Sequence, residues 1–290
     1  MRGRKFAGWL VVGALSVAGP VASADAGGMG ATQNLGKAGP LDYLRTKRSE
    51  VQSQAGPPTA CKGADQITGG GAAIGGKPAK AHLNSSGPVF NDEAWLGEGR
   101  TASGSETVAS WAICGDAETT QVASTDSFGQ VQYNAGFSCN AGESLSGGIR
   151  SAGGDVLLNG AFPDDSAGDT FDWIDSYQND VAATATITSA VICSAGYPVV
   201  HRAASQQVKP GEAAKSIARC EHGEVVAGGG VSMTRQGIPQ GDVWAQATRP
   251  WDSKDDKNKT PEDGWFAKSL NDTDQKVTLT SYASCVPRNP

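Results

Sequence analysis

The sequence has few hydrophobic, aromatic and charged residues for its length. Of its 290 residues, 38% are hydrophobic, 7% are aromatic and 19% are charged. After the N-terminal segment no stretch approaches the about 18 apolar residues of a membrane-spanning helix. The lack of long runs of Leu, Glu, Lys and Ala excludes a helical bundle or a coiled coil. The 39 Gly and 14 Pro exceed their usual share but do not reach the level of a disordered chain.

The sequence also lacks the short motifs that mark common enzymes and metal sites. It has no Gly-x-Ser-x-Gly elbow, no His-x-x-x-His pair and no Cys-x-x-Cys pair. Two acidic loops, 164–175 and 252–263, do not have the EF-hand spacing, and we interpret them as solvated turns rather than calcium loops. We therefore predict that the protein is not an enzyme and has neither cofactor nor metal.

The N-terminus has the three parts of a secretory signal peptide. Arg2, Arg4 and Lys5 precede an apolar run over residues 6–17, and small residues at 22–26 supply a cleavage pattern. An apolar run of about 14 residues is too short to span a bilayer. We predict that residues 1–26 are removed and that the protein is secreted to the extracellular space or the periplasm.

The charge balance limits the choice of partners. The formal net charge is −6, which argues against nucleic acid and anionic lipid as partners and against membrane insertion. Residues 27–60 carry Gly, Gln, Lys and Pro with one helix-compatible stretch at 41–51, and we interpret them as a flexible arm or a propeptide. The remaining residues, 61–290, are predicted to form one β domain.

The cysteines divide this domain into three repeats. The repeats span 61–114, 139–193 and 220–285, and each begins and ends with a Cys. A glycine-containing cluster begins eight residues after each opening Cys, and a Trp lies 19 or 20 residues before each closing Cys. The landmarks that recur in this order are the following: Gly69, Gly147 and Gly228; Pro88, Pro163 and Pro250; Trp95, Trp173 and Trp265.

An even number of cysteines in an oxidising compartment predicts three disulfides. We favour pairing within the repeats, because every repeat has one opening and one closing Cys. The alternative joins each closing Cys to the next opening Cys and leaves the first and last cysteines to pair. The favoured bridges are Cys61–Cys114, Cys139–Cys193 and Cys220–Cys285.

Alternating apolar and polar residues between Gly, Pro, Asn and Asp turns predict about four short antiparallel strands in each repeat. The connecting segments 119–125 and 197–208 can each add a strand. The predicted fold is all-β, with three antiparallel Greek-key-like repeats, pseudo-threefold symmetry, a β-prism-like arrangement and one disulfide per repeat. Glycine inside a strand indicates close backbone approach, so we expect the three clusters to pack tightly near the symmetry axis.

The repeat pattern resembles that of secreted bacterial proteins with three Cys-x7-Gly-Gly-Gly repeats. The residues that carry it are Ser86-Gly87-Pro88, Thr248-Arg249-Pro250, Gly264-Trp265 and Tyr282-Ala283-Ser284-Cys285. More remotely, the chain is similar to the vitelline membrane outer layer protein family, which implies a β-prism. The chain lacks that family's acidic-Thr-Ala-Leu-Asn strand, and the resemblance carries over no catalytic residue.

Trp and acidic residues are the best candidates for ligand contact. An exposed Trp face can stack on a pyranose ring while Asp accepts hydrogen bonds from its hydroxyls. A Trp at a fixed place in each repeat can equally be a core anchor, so the unrepeated Trp244 and Trp251 are the better candidates for exposed contact. The predicted ligand-binding residues are Trp251, Trp244, Asp252, Trp173 and Asp172.

Our first hypothesis is a secreted, non-enzymatic binding or coat protein that recognises a glycan or cell-envelope polymer. The second is a purely structural extracellular protein, and the third is an exported hydrolase or toxin that acts on envelope polymers. Exposed Trp in loops unique to one repeat favours the first hypothesis. Trp buried in every repeat favours the second, and a cleft with two close acids favours the third.

Overall fold

The computed structural model describes residues 32–48, 58–75, 81–90, 92–100, 107–153, 155–164, 172–235, 238–239, 242–253 and 258–288. The predicted signal peptide lies outside these residues. The described chain forms twenty β-strands and no helix, which confirms the all-β prediction. In particular, the described residues contain no helix long and apolar enough to cross a membrane.

The strands are numbered in chain order. Those up to the end of the first repeat are β1 Thr32–Ala38, β2 Leu41–Arg48, β3 Thr59–Ala60, β4 Gln66–Ile74, β5 His82–Pro88, β6 Ala94–Arg100 and β7 Val108–Gly115. Those up to the end of the second are β8 Thr119–Phe128, β9 Gln132–Phe137, β10 Glu143–Ala152, β11 Val156–Pro163, β12 Trp173–Asn179 and β13 Ala185–Ser194. The remaining strands are β14 Val200–Val208, β15 Ala213–Arg219, β16 Glu224–Arg235, β17 Ile238–Pro239, β18 Val243–Trp251, β19 Gly264–Asn271 and β20 Val277–Pro287.

The strands form three antiparallel sheets. Sheet 1 has the order β1-β2-β7-β4-β18-β19-β15, and sheet 2 has the order β3-β6-β5-β10-β13-β8. Sheet 3 has the order β14-β20-β16-β11-β12-β9, with β17 paired to β16. The connecting segments supply β8 and β14, as predicted. Among the described residues each repeat holds four main strands, which confirms the prediction: β4–β7, β10–β13, and β16, β18, β19 and β20, with the two-residue β17 paired to β16. Strands β1–β3, β9 and β15 also lie outside the repeats.

Every repeat is divided between two sheets, and every sheet joins two repeats. The glycine-rich strand of the first repeat, β4, pairs with β18 of the third; β10 pairs with β5; β16 pairs with β11. The same pairing order therefore recurs in all three sheets. The pseudo-threefold symmetry and the prism geometry themselves stay predictions.

The disulfides follow the pairing that we favoured. Each bridge joins the first and last cysteine of one repeat: Cys61–Cys114, Cys139–Cys193 and Cys220–Cys285. No described cysteine is free. Three such bridges indicate an oxidising, extracellular environment.

The repeated Trp residues are core anchors. Trp95, Trp173 and Trp265 are 1%, 0% and 0% exposed. One glycine of each cluster lies against the Trp of its own repeat, namely Gly70, Gly147 or Gly229. A Cβ on Gly70 would lie 2.4 Å from the Trp95 ring, and a Cβ on Gly229 would lie 2.5 Å from the Trp265 ring. The glycines thus make room for the indoles.

The clusters also meet one another, which confirms the close packing expected of them. A Cβ on Gly69 would lie 2.7 Å from Cα of Gly228, in the third repeat. A Cβ on Gly228 would lie 2.3 Å from the carbonyl oxygen of Leu145, in the second. Only glycine allows three backbones to come this close.

Part of the segment predicted as a flexible arm or propeptide belongs to the folded body. The helix-compatible stretch at 41–51 is a strand over its first eight residues, and this correction has a clear physical cause. Strand β2 pairs along its whole length with β7, and it buries Leu41, Tyr43 and Leu44. The Tyr43 hydroxyl donates to the carbonyl of Val226, 2.7 Å away. Ladder bonds and burial together override a weak helix propensity.

Candidate functional site

The structure separates the five predicted ligand residues. Trp173 is completely buried, and Trp244 is 7% exposed, so the prediction that Trp244 offers an exposed contact was wrong. Trp251, Asp252 and Asp172 are half-buried. The Oδ2 of Asp172 accepts a hydrogen bond from the backbone N–H of Cys139 at 2.6 Å, which gives this carboxylate a structural contact.

Trp251 does not present a bare ring. The guanidinium carbon of Arg219 lies 4.9 Å from the centroid of the Trp251 ring. Gly264 stands opposite both residues in the strand register, and a Cβ there would lie 3.0 Å from Cα of Arg219. The missing side chain lets arginine on β15 reach across β19 to the indole on β18.

A second arginine is held by two rings in the same sheet. The guanidinium carbon of Arg249 lies 5.4 Å from the Trp111 ring centroid and 4.7 Å from the Phe266 centroid. Arg249 and Phe266 are register partners. Arg45 on β2 is the register partner of Trp111 on β7. Strands β2 and β4 flank β7 on opposite sides.

These contacts share one face of sheet 1. Side chains two residues apart on a strand, and side chains directly opposite across a ladder, lie on the same face. We call this set the arginine–aromatic row: Arg45, Trp111, Arg249, Phe266, Trp251 and Arg219. Lys268 and Lys215, which are opposite each other, continue the face beside Phe266.

No ion pair among the described residues involves a cation of the row. The ion pairs among the described residues involve other cations, namely His82, Arg100, Arg202, Lys209 and Arg288. Burial, and then the charge of Arg45, lower the pKa of Arg249, although an arginine stays protonated. The Nε of Arg45 is buried and has no hydrogen-bond partner. The two guanidinium groups therefore repel each other, with no described carboxylate to balance them.

The positions that form the row differ between the repeats. The residue three before the closing Cys is Trp111 in sheet 1, but Tyr282 in sheet 3. The residue before the recurring Pro is Arg249 in sheet 1, but Phe162 in sheet 3. Phe162 and Tyr282 stack with centroids 5.7 Å apart. The scaffold is thus constant while the chemistry at this position changes from one sheet to another.

A polar cluster where β5, β11 and β18 begin is the other candidate. The Nε2 of His82 lies 3.1 Å from Oδ1 of Asp155, and Arg100 Nη1 lies 3.3 Å from the same oxygen. Hydrogen bonding to His82 is the main cause that lowers the pKa of Asp155. Trp244 meets the His82 ring edge-on at 6.1 Å. Through these contacts the cluster joins residues of all three repeats.

Metal binding finds little support in the described residues. The one close group of potential ligands is Cys220, Glu224 and Cys285, but its two sulfurs form a disulfide and cannot act as thiolates. Parts of the two acidic loops, 165–171 and 254–257, lie outside the described residues.

Sequence reasoning missed Arg45, Trp111, Arg249 and Phe266. Arg249 and Phe266 lie on paired strands of the third repeat, whereas Arg45 and Trp111 lie far from them in sequence. The pairing of β4 with β18 brings the two pairs into one row. The available signal was that Trp111 and Arg249 depart from the residues at the same place in the other repeats. No protein-family model matches the chain, and no curated protein is significantly similar to it in sequence. The resemblance to secreted triple-repeat proteins therefore stays a prediction.

Proposed function

We propose that this protein is a secreted, non-enzymatic binding protein that recognises a glycan or another cell-envelope polymer through the arginine–aromatic row. The observation that carries the proposal is the pair of stacked guanidinium groups, Arg249 between Trp111 and Phe266 and Arg219 on Trp251. Stacking fixes a guanidinium in place before a ligand arrives, so less side-chain entropy is lost on binding.

The shape of the surface supports an extended ligand. The row crosses the strands of an antiparallel sheet from β2 to β15. The Cys61–Cys114 disulfide joins β7 of this sheet to the segment before β4, and the Cys220–Cys285 disulfide joins the residue after β15 to β20 of sheet 3. A flat surface on rigid strands suits a polymer chain better than a small molecule, which needs a concave pocket.

A depletion assay tests the proposal. The protein is mixed with insoluble peptidoglycan, chitin, cellulose and walls of the source cells, and the fraction removed from solution is measured. We expect one of these materials to remove it, with release by soluble fragments of the same polymer. The Arg219→Gln variant should be depleted less, because it loses a cation at the exposed end of the row. A Lys62→Gln variant, which changes an exposed cation on the turn after Cys61, is the matched control.

A purely structural role is the second candidate, because Trp95, Trp173 and Trp265 are buried in all three repeats. Under that hypothesis none of the materials depletes the protein, and Arg219→Gln and Lys62→Gln behave alike. That result would reject polymer binding in the form proposed here.

A further inference from the structure

We infer that the polymer is an acidic polysaccharide whose carboxylates are bound by Arg45, Arg249 and Arg219; this inference rests on the proposed function. It names the chemical class of ligand for the arginine–aromatic row. The argument uses the charge of the face, the state of its rings and the spacing of its cations.

The charge of this face is opposite to that of the chain. The formal net charge of the protein is −6, yet the described strand positions that alternate onto this face of sheet 1 include no Asp or Glu. The cations there are Arg45, Lys215, Arg219, Arg249 and Lys268. A positive surface on an acidic protein attracts an anion while the rest of the molecule repels it.

The rings of the row support guanidinium groups rather than sugars or bases. Trp111 is 6% exposed and has Arg249 over its ring. Arg219 occupies the corresponding place on Trp251. Binding of single-stranded nucleic acid relies on aromatic faces that are open to bases, and stacking on a neutral pyranose has the same requirement. Arg249 Nη1 already donates to the carbonyl of Pro250 and Arg45 Nη2 to Oε1 of Gln33. The other N–H groups of these planar forks are donors of the kind that bind carboxylates.

The spacing of the arginines fits an extended chain that crosses the strands. Arg45 on β2 and Arg249 on β18 are three strand positions apart, or about 14 Å at the backbone. Arg219 on β15 is two strands further, or about 10 Å. Between these cations Phe266 and Ile217 are half-buried and form an apolar strip. The C–H face of a pyranose can cover such a strip, which favours a uronate polysaccharide over a bare polyphosphate.

The test measures the affinity of the folded protein for soluble polymers by titration calorimetry. The acidic probes are polygalacturonate and alginate, the neutral probe is dextran, and polyphosphate and single-stranded DNA are the other anions. We expect an acidic polysaccharide to bind most tightly, at least tenfold tighter than dextran, with an affinity that falls as salt rises from 50 to about 300 mM because screening weakens exposed charge contacts.

Variants then locate the contact. Arg249→Gln should lower the affinity for the acidic polysaccharide about tenfold or more, and Arg249→Lys should recover only part of it, because an ammonium lacks the planar fork. The Lys215→Gln/Lys268→Gln double variant changes two side chains at the surface and tests the same face if Arg249→Gln fails to fold. Lys62→Gln and Lys209→Gln remove exposed cations elsewhere and should leave the affinity unchanged.

The outcomes separate this inference from the proposed function. If dextran binds as tightly as the acidic probes, or if the affinity does not change with salt concentration, the ligand is not an acidic polysaccharide. Polymer binding itself would still stand. Tighter binding of polyphosphate or DNA also overturns the acidic polysaccharide. Equal losses in Arg249→Gln and Lys62→Gln show that the row is not the contact. Failure of every soluble polymer, together with failure of the depletion assay, rejects the proposed function itself.

Discussion

The indole N–H of Trp173 donates to Oδ1 of Asp175 at 2.9 Å, whereas the other two repeats use a hydroxyl for the same purpose. Trp95 donates to Oγ of Ser86 at 3.2 Å. In the third repeat Trp265 donates to Oγ1 of Thr248 at 2.8 Å. The two hydroxyl residues each stand two positions before the recurring Pro.

The second repeat has Ala161 at that position, so its Trp has no hydroxyl to bond. Asp175 is the register partner of Ala161 and supplies the missing acceptor from the neighbouring strand. The arrangement has a cost. Asp175 is completely buried, its Oδ2 has no hydrogen-bond partner, and burial raises its pKa well above the ordinary value.

The Asp175→Asn variant should be more stable than the natural protein at neutral pH and equally stable near pH 3. With a raised pKa, the folded state keeps a proton that the unfolded state releases above pH about 3.9. Stability contributed by this group is therefore present at low pH and lost as pH rises towards the folded pKa, with a slope of about 1.4 kcal/mol per pH unit in that window. Asn keeps the acceptor for Trp173 and does not titrate.

Urea unfolding of both proteins from pH 3 to pH 8 measures this difference. The stability difference between variant and natural protein should grow with pH. A difference that stays constant over the range would mean that Asp175 is ionised in the folded protein, contrary to its burial.

A hydroxyl placed as in the other two repeats should be able to replace Asp175 as the acceptor for Trp173. Asp175→Ala alone leaves the buried Trp173 N–H without an acceptor and should cost about 1–3 kcal/mol of unfolding free energy at pH 3.5. Adding Ala161→Ser places a hydroxyl where Ser86 stands in the first repeat and should recover most of that loss. A double-mutant cycle gives the coupling between the two positions, and a coupling near zero would show that the new Ser does not reach the indole.

Three amide side chains link the repeats in a closed cycle. Each sits at the bulge of one strand and bonds the backbone of the next repeat: Asn84 Oδ1 accepts from Val156 N–H at 3.1 Å, Asn159 Nδ2 donates to Val243 O at 2.6 Å, and Gln246 Nε2 donates to Ala81 O at 3.0 Å. The register shifts of β5, β11 and β18 fall at these residues. The bulges thus re-aim polar side chains towards a neighbouring repeat.

Replacing one of these amides should weaken the whole molecule. Asn159→Ala leaves the buried Val243 carbonyl without this partner and should lower the unfolding free energy by about 1–3 kcal/mol. The control is Gln207→Ala, because Gln207 is an exposed amide whose bond to Thr278 stays within one sheet. We expect that change to stay within about 0.5 kcal/mol. Urea denaturation compares the two, and equal effects would show that the cycle adds nothing to stability.

The sequence was sufficient for features that recur at fixed spacing. The eight-residue offset from Cys139 to Gly147 and its two counterparts identified the repeats, and the repeats selected the disulfides. Alternation predicted the four strands within each repeat, and the connecting segments 119–125 and 197–208 were expected to add the strands that β8 and β14 supply. Such patterns reflect local geometry, in which side chains alternate along a strand and turns need Gly, Pro, Asn or Asp.

The exchange of strands between repeats could not be predicted, because nothing local specifies that β4 pairs with β18. For that reason Arg249 could not be placed beside Trp111, and Trp244 could not be placed against His82. The prediction that an unrepeated Trp is exposed failed for Trp244, since His82 of the first repeat and Leu157 of the second pack with it. Sequence predicts which residues differ between repeats, and the register decides which of them meet.

The glycine that faces the Trp of its own repeat provides the most direct test of the packing. Gly70→Ala should lower the unfolding free energy by about 1–3 kcal/mol, because its Cβ would lie 2.4 Å from the Trp95 ring and 2.5 Å from the carbonyl oxygen of Trp111. The matched control is Gly129→Ala, where nothing lies within 4 Å of the added carbon. That variant should be neutral or slightly stabilised, since alanine restricts the unfolded chain.

Combining Gly70→Ala with Trp95→Phe separates a ring clash from a backbone clash. If the indole is the main obstacle, the smaller ring relieves it, and the double variant loses less stability than the sum of the single changes. Additive losses would instead assign the restriction to the carbonyl of Trp111. In that case glycine is needed there for the approach of two strands, and the fixed position of the Trp would be explained by burial alone.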